Sequence, residues 1–240
     1  HHYAPREGID PAKVFSVAIM PCTAKKFEAA RPEMGAQGMP DLDAVLTTRE
    51  LAHLIRMHGI DLRSLDPEPQ DIPFGDRSSA GKLFGATGGV MEAALRTAHF
   101  LLTGTELPQV RVKAVRGLAG TKEASVAIDG LTVNVAVASG LANARGLLDR
   151  IKAGHALHFV EIMTCPGGCI AGGGQLLGID PSAIRARMKG LYEIDKNDVV
   201  RTSHDNRAVQ RLYEEFLGAP LGERSHHLLH THYTPRSVVR

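Results

Sequence analysis

Two short apolar runs without polar alternation stand out along the chain. They cover residues 14–20 and 158–163, are rich in Val, Ile and Phe, and have the length of a β-strand. Continuous hydrophobicity over so few residues is typical of a strand buried on both faces. We therefore predict two such strands, each of which leads closely into a cysteine, Cys22 and Cys165.

Other patterns predict the remaining elements. Asp129-Gly130 separates the strand-like runs 124–128 and 131–138, which is a strong hairpin signal, and a further strand-like run covers 110–117. Thr47 or Thr48 followed by Glu50 predicts a capped helix that ends near Gly59. Further helices are predicted at about residues 88–104, 141–152, 181–192, 206–217 and 223–232.

This alternation of strands and helices predicts an α/β fold. We expect mainly parallel sheets with flanking helices in a two-lobed region over about residues 1–180. A helical C-terminal cap is expected over about residues 181–240.

Composition and charge narrow the functional classes. The 240 residues are 43% hydrophobic and 22% charged, which is too apolar for disorder. The net charge is only +2 and is not gathered into a run, so we expect no nucleic acid as a partner. No apolar stretch has the length of a membrane span or of a signal-peptide core, so a cytoplasmic protein is expected.

The chain has three cysteines, an odd number that leaves thiol chemistry or metal ligation as alternatives. Cys165 and Cys169 enclose Pro-Gly-Gly, and further glycines follow, so backbone N–H groups can approach sulfur. Iron–sulfur clusters use both features, whereas zinc sites more often show paired two-residue spacings with histidines. Spacing alone gives a three-thiolate metal site and no reaction, and Cys22 by itself is more typical of a small buried hydrophobe than of a ligand.

Four of the twelve histidines lie close together near the C-terminus. These four are His226, His227, His230 and His232. Their spacing lacks a neighbouring Cys or carboxylate ligand pattern, so we interpret them as part of the helical cap rather than as a zinc site.

The residues around the cysteines carry a family resemblance. MPCTAKKFE at 20–28 resembles the second cysteine signature of the iron-only (FeFe) hydrogenases, and EIMTCPGGCIAGGGQ at 161–175 resembles their third. FGATGGVME at 84–92 and LLHTHY at 228–233 are also similar to that family. The chain thus resembles the C-terminal part of the H-cluster catalytic domain of the large subunit.

The resemblance implies an H-cluster as cofactor. This is a 4Fe-4S cubane joined through a cysteine sulfur to a di-iron unit that carries carbonyl, cyanide and a bridging dithiolate. Cys22 and Cys165 would ligate the cubane, and Cys169 would bridge the cubane and the di-iron unit.

The resemblance also implies roles for other residues. Lys25 would hydrogen-bond an iron cyanide, and Glu28 on the next helical turn would hold Lys25 in place. Lys26 is expected to point to solvent. The residues expected to line the di-iron pocket are Met20, Met163 and Phe84.

The chain departs from the family in lacking the first cysteine signature, so three thiolates stand where a cubane needs four. The implied activity is the reversible oxidation of H2 to protons and electrons. We expect the chain alone to be inactive, and the site to require an upstream segment or a partner subunit that carries the first signature and ferredoxin-like clusters. The redox partner would be ferredoxin or a nicotinamide-linked subunit.

Two alternatives remain open. One is a non-catalytic iron–sulfur assembly or sensory relative that keeps the cubane. The other is a binding module without metal.

Overall fold

The computed structural model describes residues 2–108, 113–176 and 180–234. The strands are β1 (Val17–Met20), β2 (Gly35–Ala36), β3 (Met39–Pro40), β4 (Ala44–Thr47), β5 (Thr121–Ile128), β6 (Leu131–Ser139) and β7 (Phe159–Met163). The helices are α1 (Tyr3–Arg6), α2 (Ala24–Ala29), α3 (Thr48–Met57), α4 (Ser79–Leu83), α5 (Gly89–Thr103), α6 (Leu141–Lys152), α7 (Pro181–Asn197), α8 (Arg207–Leu212) and α9 (Glu223–Leu229). The predicted α/β class is confirmed.

The strands form small sheets. The two strands that precede cysteines, β1 and β7, each lie at the edge of a sheet. β1 pairs in parallel with β4, and β7 pairs in parallel with β6. β5 and β6 form the predicted hairpin, in which Asp129 and Gly130 both have positive φ, as a two-residue turn of this kind requires. β2 and β3 form a second, very short hairpin.

The β5–β6–β7 sheet is covered on both faces. Side chains alternate along β6, so that Val135 and Val137 pack with Met91 of α5, while Ala136 and Ala138 pack with Leu147 of α6. Every residue of β6 from Val135 to Ser139 is buried. This strand is the structural centre of the half that carries Cys165 and Cys169.

The prediction that β1 and β7 are buried on both faces is wrong. In β1, Val17 is 45% exposed and Ile19 is 53% exposed. In β7 only Glu161 is buried, whereas Phe159 and Ile162 are exposed. Each strand has a neighbour on one side only, so the apolar composition that predicted burial remains partly open.

The predicted strand at 110–117 is wrong where the structure describes it. Residues 113–115 form a 3-10 turn, and residues 110–112 lie outside the described ranges. Val115 is nonetheless fully buried in the core of the β5–β6–β7 sheet, which accounts for the apolar character of the run.

Helix α7 ties the C-terminal region to the rest of the chain. Met188 packs with Ala86 and Ile170, and Asp195 accepts hydrogen bonds from Arg96 of α5 and from Ser79 of α4. In the described part of the chain, none of the helices combines the length and apolar character that a membrane crossing requires.

A candidate metal centre formed by three cysteines

Two loops carry the three cysteines. Cys22 follows β1 directly after Pro21. Cys165 lies two residues after β7, and Cys169 begins the 3-10 turn Cys169–Ala171. Cys22 and Cys165 are partly buried and Cys169 is exposed; all are free thiols.

The thiols of Cys22 and Cys165 act electrostatically on the thiol of Cys169. Burial raises the pKa of the Cys169 thiol, the thiols of Cys22 and Cys165 raise it further, and the ammonium of Lys25 lowers it. Because such interactions weaken with distance through screening, the three thiols and the ammonium lie within electrostatic range of one another. The structure therefore joins residues that are more than a hundred positions apart in sequence.

Close backbone contacts between the two loops produce this convergence. The N–H of Gly174 donates to the carbonyl oxygen of Pro21 at 3.2 Å. A Cβ atom at position 172 would lie 1.9 Å from that same oxygen, and one at position 174 would lie 3.0 Å from the backbone nitrogen of Cys22. Glycine at these positions lets the Cys169 loop lie directly against the Cys22 loop.

The loop between Cys165 and Cys169 depends on its consecutive glycines. Gly167 and Gly168 have φ of 89° and 94°, values that residues with a Cβ rarely adopt. Ser139 at the end of β6 fixes the turn, since its hydroxyl donates to the Cys165 carbonyl at 3.0 Å and accepts from the Gly167 N–H at 3.1 Å. The cysteine loop is thus anchored to the most buried strand of the sheet.

A buried carboxylate, that of Glu161, supports the same loop from beneath. Its oxygens accept hydrogen bonds from the N–H groups of Gly88 at 2.6 Å and Met91 at 2.8 Å, at the start of α5. The adjacent Thr87 N–H donates to the Gly167 carbonyl at 3.1 Å. Glu161 therefore holds the α5 N-terminus against the cysteine loop.

Lys122 completes this support. Its ammonium donates to the carbonyl oxygens of Thr87 at 3.1 Å and Gly117 at 3.0 Å. Burial lowers the pKa of Lys122 to about 8, and the negative charge of Glu161 acts in the opposite direction. Sequence reasoning gave neither residue a role, although a carboxylate inside an otherwise apolar strand was the available signal.

The two neighbouring lysines of α2 have different partners. Lys25 forms an ion pair with Glu28 and acts electrostatically on the Cys169 thiol. Lys26 donates to the Val45 carbonyl at 2.7 Å and pairs with Glu50 at 3.0 Å. Lys26 is exposed, as predicted, and its ammonium also ties α2 to β4 and α3.

The other predicted pocket residues lie at the ends of elements near these loops. Met20 is the last residue of β1 and Met163 the last of β7, and both are partly buried. Phe84 directly follows α4 as its C-cap residue and is 44% exposed. Their roles in a pocket stay predictions.

The donor set suits an iron–sulfur cluster. Thiols are the ligands that such clusters use, and the glycine-rich turn leaves its backbone close to them without intervening side chains. Cys22, Cys165 and Cys169 can supply three of the four thiolates of a cubane.

Comparison with known families and proteins agrees with this chemistry. The family described as "Iron only hydrogenase large subunit, C-terminal domain" matches residues 1–173, and the family "Iron hydrogenase small subunit" matches residues 181–236. The first match contains all three cysteines.

Two relatives are hydrogenase subunits. The NADP-reducing hydrogenase subunit HndD of Solidesulfovibrio fructosivorans is 48% identical over 236 residues, which are 98% of this chain and 40% of the relative. The periplasmic Fe hydrogenase large subunit of Nitratidesulfovibrio vulgaris is 49% identical over 173 residues, 72% of this chain and 41% of the relative. The chain thus spans about two fifths of these relatives.

A solved structure is similar throughout the chain. It is the structure of HydA(deltaEFG), whose title concerns stepwise assembly of the FeFe hydrogenase H-cluster. Its TM-score is 0.79 at 42% identity, and the match covers 96% of this chain and 65% of the other. Since the family match extends over more than half of the chain and contains all of the cysteines, this chain belongs to the iron-only hydrogenase large-subunit family, in its C-terminal domain.

Proposed function

We propose that this chain is the part of a hydrogenase catalytic domain that provides three thiolates to an H-cluster, in a protein that interconverts H2 with two protons and two electrons. The observation that carries the proposal is the close backbone contact between the Cys22 loop and the Cys169 loop, where the Gly174 N–H donates to the Pro21 carbonyl oxygen at 3.2 Å. The electrostatic influence of Cys22, Cys165 and Lys25 on the Cys169 thiol supports it. When bound, the cluster supplies the iron centre for H2 and the redox equivalents.

Each cysteine has a distinct place in this proposal. Cys22 and Cys165 would hold the cubane, and Cys169 would be the thiolate shared with the di-iron unit. Among the three, Cys169 is the exposed residue, and it begins the 3-10 turn that follows the two glycines.

Lys25 provides positive charge beside an anionic cofactor. An ammonium is a compact donor suited to a cyanide ligand, and Glu28, three residues further along α2, orients it. Met20, Met163 and Phe84 would line the pocket and exclude water from the di-iron unit.

The fourth thiolate must come from outside these 240 residues, which contain three cysteines. Exposed apolar side chains on the edge strands β1 and β7 support packing against a further polypeptide. These side chains belong to Val17, Ile19, Phe159 and Ile162. We propose that this polypeptide carries the first cysteine signature and ferredoxin-like clusters.

The electron partner and the compartment are further parts of the proposal. The relative from S. fructosivorans is named a subunit of an NADP-reducing hydrogenase, which supports a nicotinamide-linked partner over ferredoxin. We propose a cytoplasmic location; the relative from N. vulgaris is named periplasmic, so cell fractionation is the deciding measurement.

The proposal is tested with this chain joined to a segment that carries the first signature. The protein is loaded anaerobically with iron and sulfide, then with the di-iron unit, and H2 release from reduced viologen is measured. We expect a stable cubane, activity only after the second step, and loss of activity in Lys25→Ala. Lys13→Ala, at an exposed lysine in the turn Pro11–Lys13, is the matched control and should stay active.

Two results would contradict the proposal. Absence of bound iron and sulfide in the joined protein would favour a binding module without metal. A stable cubane without H2 turnover after the di-iron unit is supplied would favour an iron–sulfur assembly or sensory role.

A further inference from the structure

A second group of metal-ligating side chains lies apart from the cysteine loops. Glu106 follows the end of α5, and His204 and Asp205 precede α8. One donor atom from each residue lies within 4.8 Å of the donors of the other two. The group joins two loops that are about a hundred positions apart in sequence.

The imidazole of His204 is held in a fixed orientation. Its side chain is 7% exposed and its ring stacks on Phe100, with centroids 4.2 Å apart and an angle of 13° between the planes. Nδ1 lies 3.3 Å from the Thr97 hydroxyl oxygen, and Nε2 lies 2.8 Å from Oε1 of Glu106. At 2.8 Å from a carboxylate oxygen, Nε2 donates a proton to Glu106, and a metal ion would take the place of that proton. Nδ1–H would then donate to the Thr97 hydroxyl, as the second ring nitrogen of a metal-binding histidine commonly does.

Two carboxylates lie beside this histidine, and Asp205 also accepts a hydrogen bond from the Thr202 hydroxyl at 2.6 Å. In the described ranges, no Lys or Arg forms an ion pair with Glu106 or Asp205. The exposed pair of His155 and Glu123 is different, because Arg150 also pairs with that carboxylate. The His155–Glu123 pair is thus balanced by a guanidinium, whereas the His204–Glu106 pair has the carboxylate of Asp205 beside it.

We propose that Glu106, His204 and Asp205 bind a divalent transition metal ion, with Zn²⁺ as the best match to one nitrogen and two oxygen donors. Two ligands of a tetrahedral zinc ion are separated by roughly 3.3 Å. The side chain of Glu106 is 56% exposed and can turn away from Nε2 to reach that separation. The bound ion joins the C-terminal end of α5 to the loop that leads into α8, independently of the hydrogenase function.

Zinc binding is tested by titration calorimetry and metal analysis. The three cysteines are replaced by serine so that thiolates cannot compete for the ion, and circular dichroism verifies the fold. We expect one Zn²⁺ per chain, at least tenfold weaker binding in His204→Gln and in Glu106→Gln, and unchanged binding in His155→Gln. Zinc should raise the Tm of the parent and of His155→Gln but not of His204→Gln.

Retention of full zinc affinity in Glu106→Gln and His204→Gln would overturn the proposal, as would absence of binding in the folded parent. If the serine variant does not fold, Co²⁺ is titrated into the unaltered chain. Thiolate ligation produces intense sulfur-to-cobalt charge-transfer bands, so a second equivalent that binds without adding to these bands is the expected result. Binding that saturates together with the charge-transfer bands would contradict the site.

Discussion

The two strands that deliver the cysteines differ in what supports them. β7 lies beside β6, whose residues from Val135 to Ser139 are all buried, and its own Glu161 is hydrogen-bonded to the start of α5. β1 lies beside the short β4, and none of its four residues is buried. Cys165 and Cys169 are thus fixed by a core, whereas Cys22 is placed largely by contact with the other loop.

This difference indicates that the position of Cys22 depends on the Cys165–Cys169 loop more than that loop depends on Cys22. The Cys165–Cys169 loop carries its own anchors, namely Ser139 and the Glu161 carboxylate. The Cys22 loop uses the backbone around Gly172 and Gly174 as its anchor. Local opening should therefore be easier around Cys22, and a change in the second loop should affect both halves.

The largest expected effect comes from adding a methyl group at Gly172, where the Cys169 loop touches the Cys22 loop. Gly172→Ala places a Cβ atom 1.9 Å from the Pro21 carbonyl oxygen, so the loops must separate. We expect a loss of about 3 kcal/mol in the free energy of unfolding, together with loss of three-thiolate binding. Urea unfolding and Co²⁺ charge-transfer spectra measure the two effects.

The matched control lies next in the chain. A Cβ atom at position 173 would come no closer than 3.5 Å to a neighbouring atom, the Thr23 hydroxyl oxygen, and the backbone there does not have positive φ. Gly173→Ala should retain both stability and metal binding. Equal effects of the two substitutions would contradict the dependence of Cys22 on this contact.

A smaller effect is expected in the better-supported half. Glu161→Gln keeps the shape of the side chain but has one oxygen for two N–H groups, so a buried donor loses its partner. We expect a loss of about 2 kcal/mol in the free energy of unfolding. Hydrogen exchange should accelerate at Gly88 and Gly167, whereas Glu123→Gln, at an exposed ion pair, should leave both amides unchanged.

The pH dependence of stability tests Lys122. Its pKa falls from 10.5 to about 8 because it is buried, so between these values the unfolded chain binds more protons than the folded one. Stability conferred by this residue must then rise with pH over that window. The raised pKa of Cys169 acts oppositely above 9.0 and is common to both proteins in the comparison.

The measurement is the difference in unfolding free energy between the parent and Lys122→Met at several pH values. The unfolding free energy of the parent minus that of Lys122→Met should increase from pH 8 to pH 10. A constant difference would show that Lys122 keeps its charge in the folded protein throughout.

The smallest expected effect lies at the start of α3, in the half that carries Cys22. Hydrogen bonding from the Thr47 backbone, followed by Lys26, lowers the pKa of Glu50 to about 2. Its stabilising contribution is therefore complete above 4.5 and is lost as the pH falls toward 2. The protection factors of the α3 amides, which correct for the intrinsic pH dependence of exchange, should fall over this range. Glu50→Gln should remove the dependence, and an unchanged profile in that variant would contradict it.

Local signals in the sequence predicted local structure well. The Thr47 and Glu50 capping box and the Asp129-Gly130 turn are both present, because each depends on a few adjacent residues. Burial of β1 and β7 could not be predicted in the same way, since it depends on which neighbours a strand acquires. The run at 110–117 was misinterpreted for a related reason: apolar residues that enter a core resemble a strand whatever their backbone does.

For the site, the sequence predicted the thiols but not their supports. The cysteine signatures and their position after two strands predicted that Cys22, Cys165 and Cys169 converge, and the backbone contacts between the two loops agree with that prediction. Lys26, Ser139 and Glu161 act through contacts with distant backbone groups, which spacing in the sequence does not encode. The roles assigned to Met20, Met163 and Phe84 remain predictions.

The β5–β6 hairpin also has a practical consequence. Its exposed turn at Asp129 and Gly130 lies at one end of the nine-residue strand β6, and Ser139, which holds the cysteine loop, lies at the other. A strand of this length separates the two ends by roughly 30 Å. A short peptide tag inserted at the turn could tether the protein to a surface, or carry a dye, without disturbing the thiols.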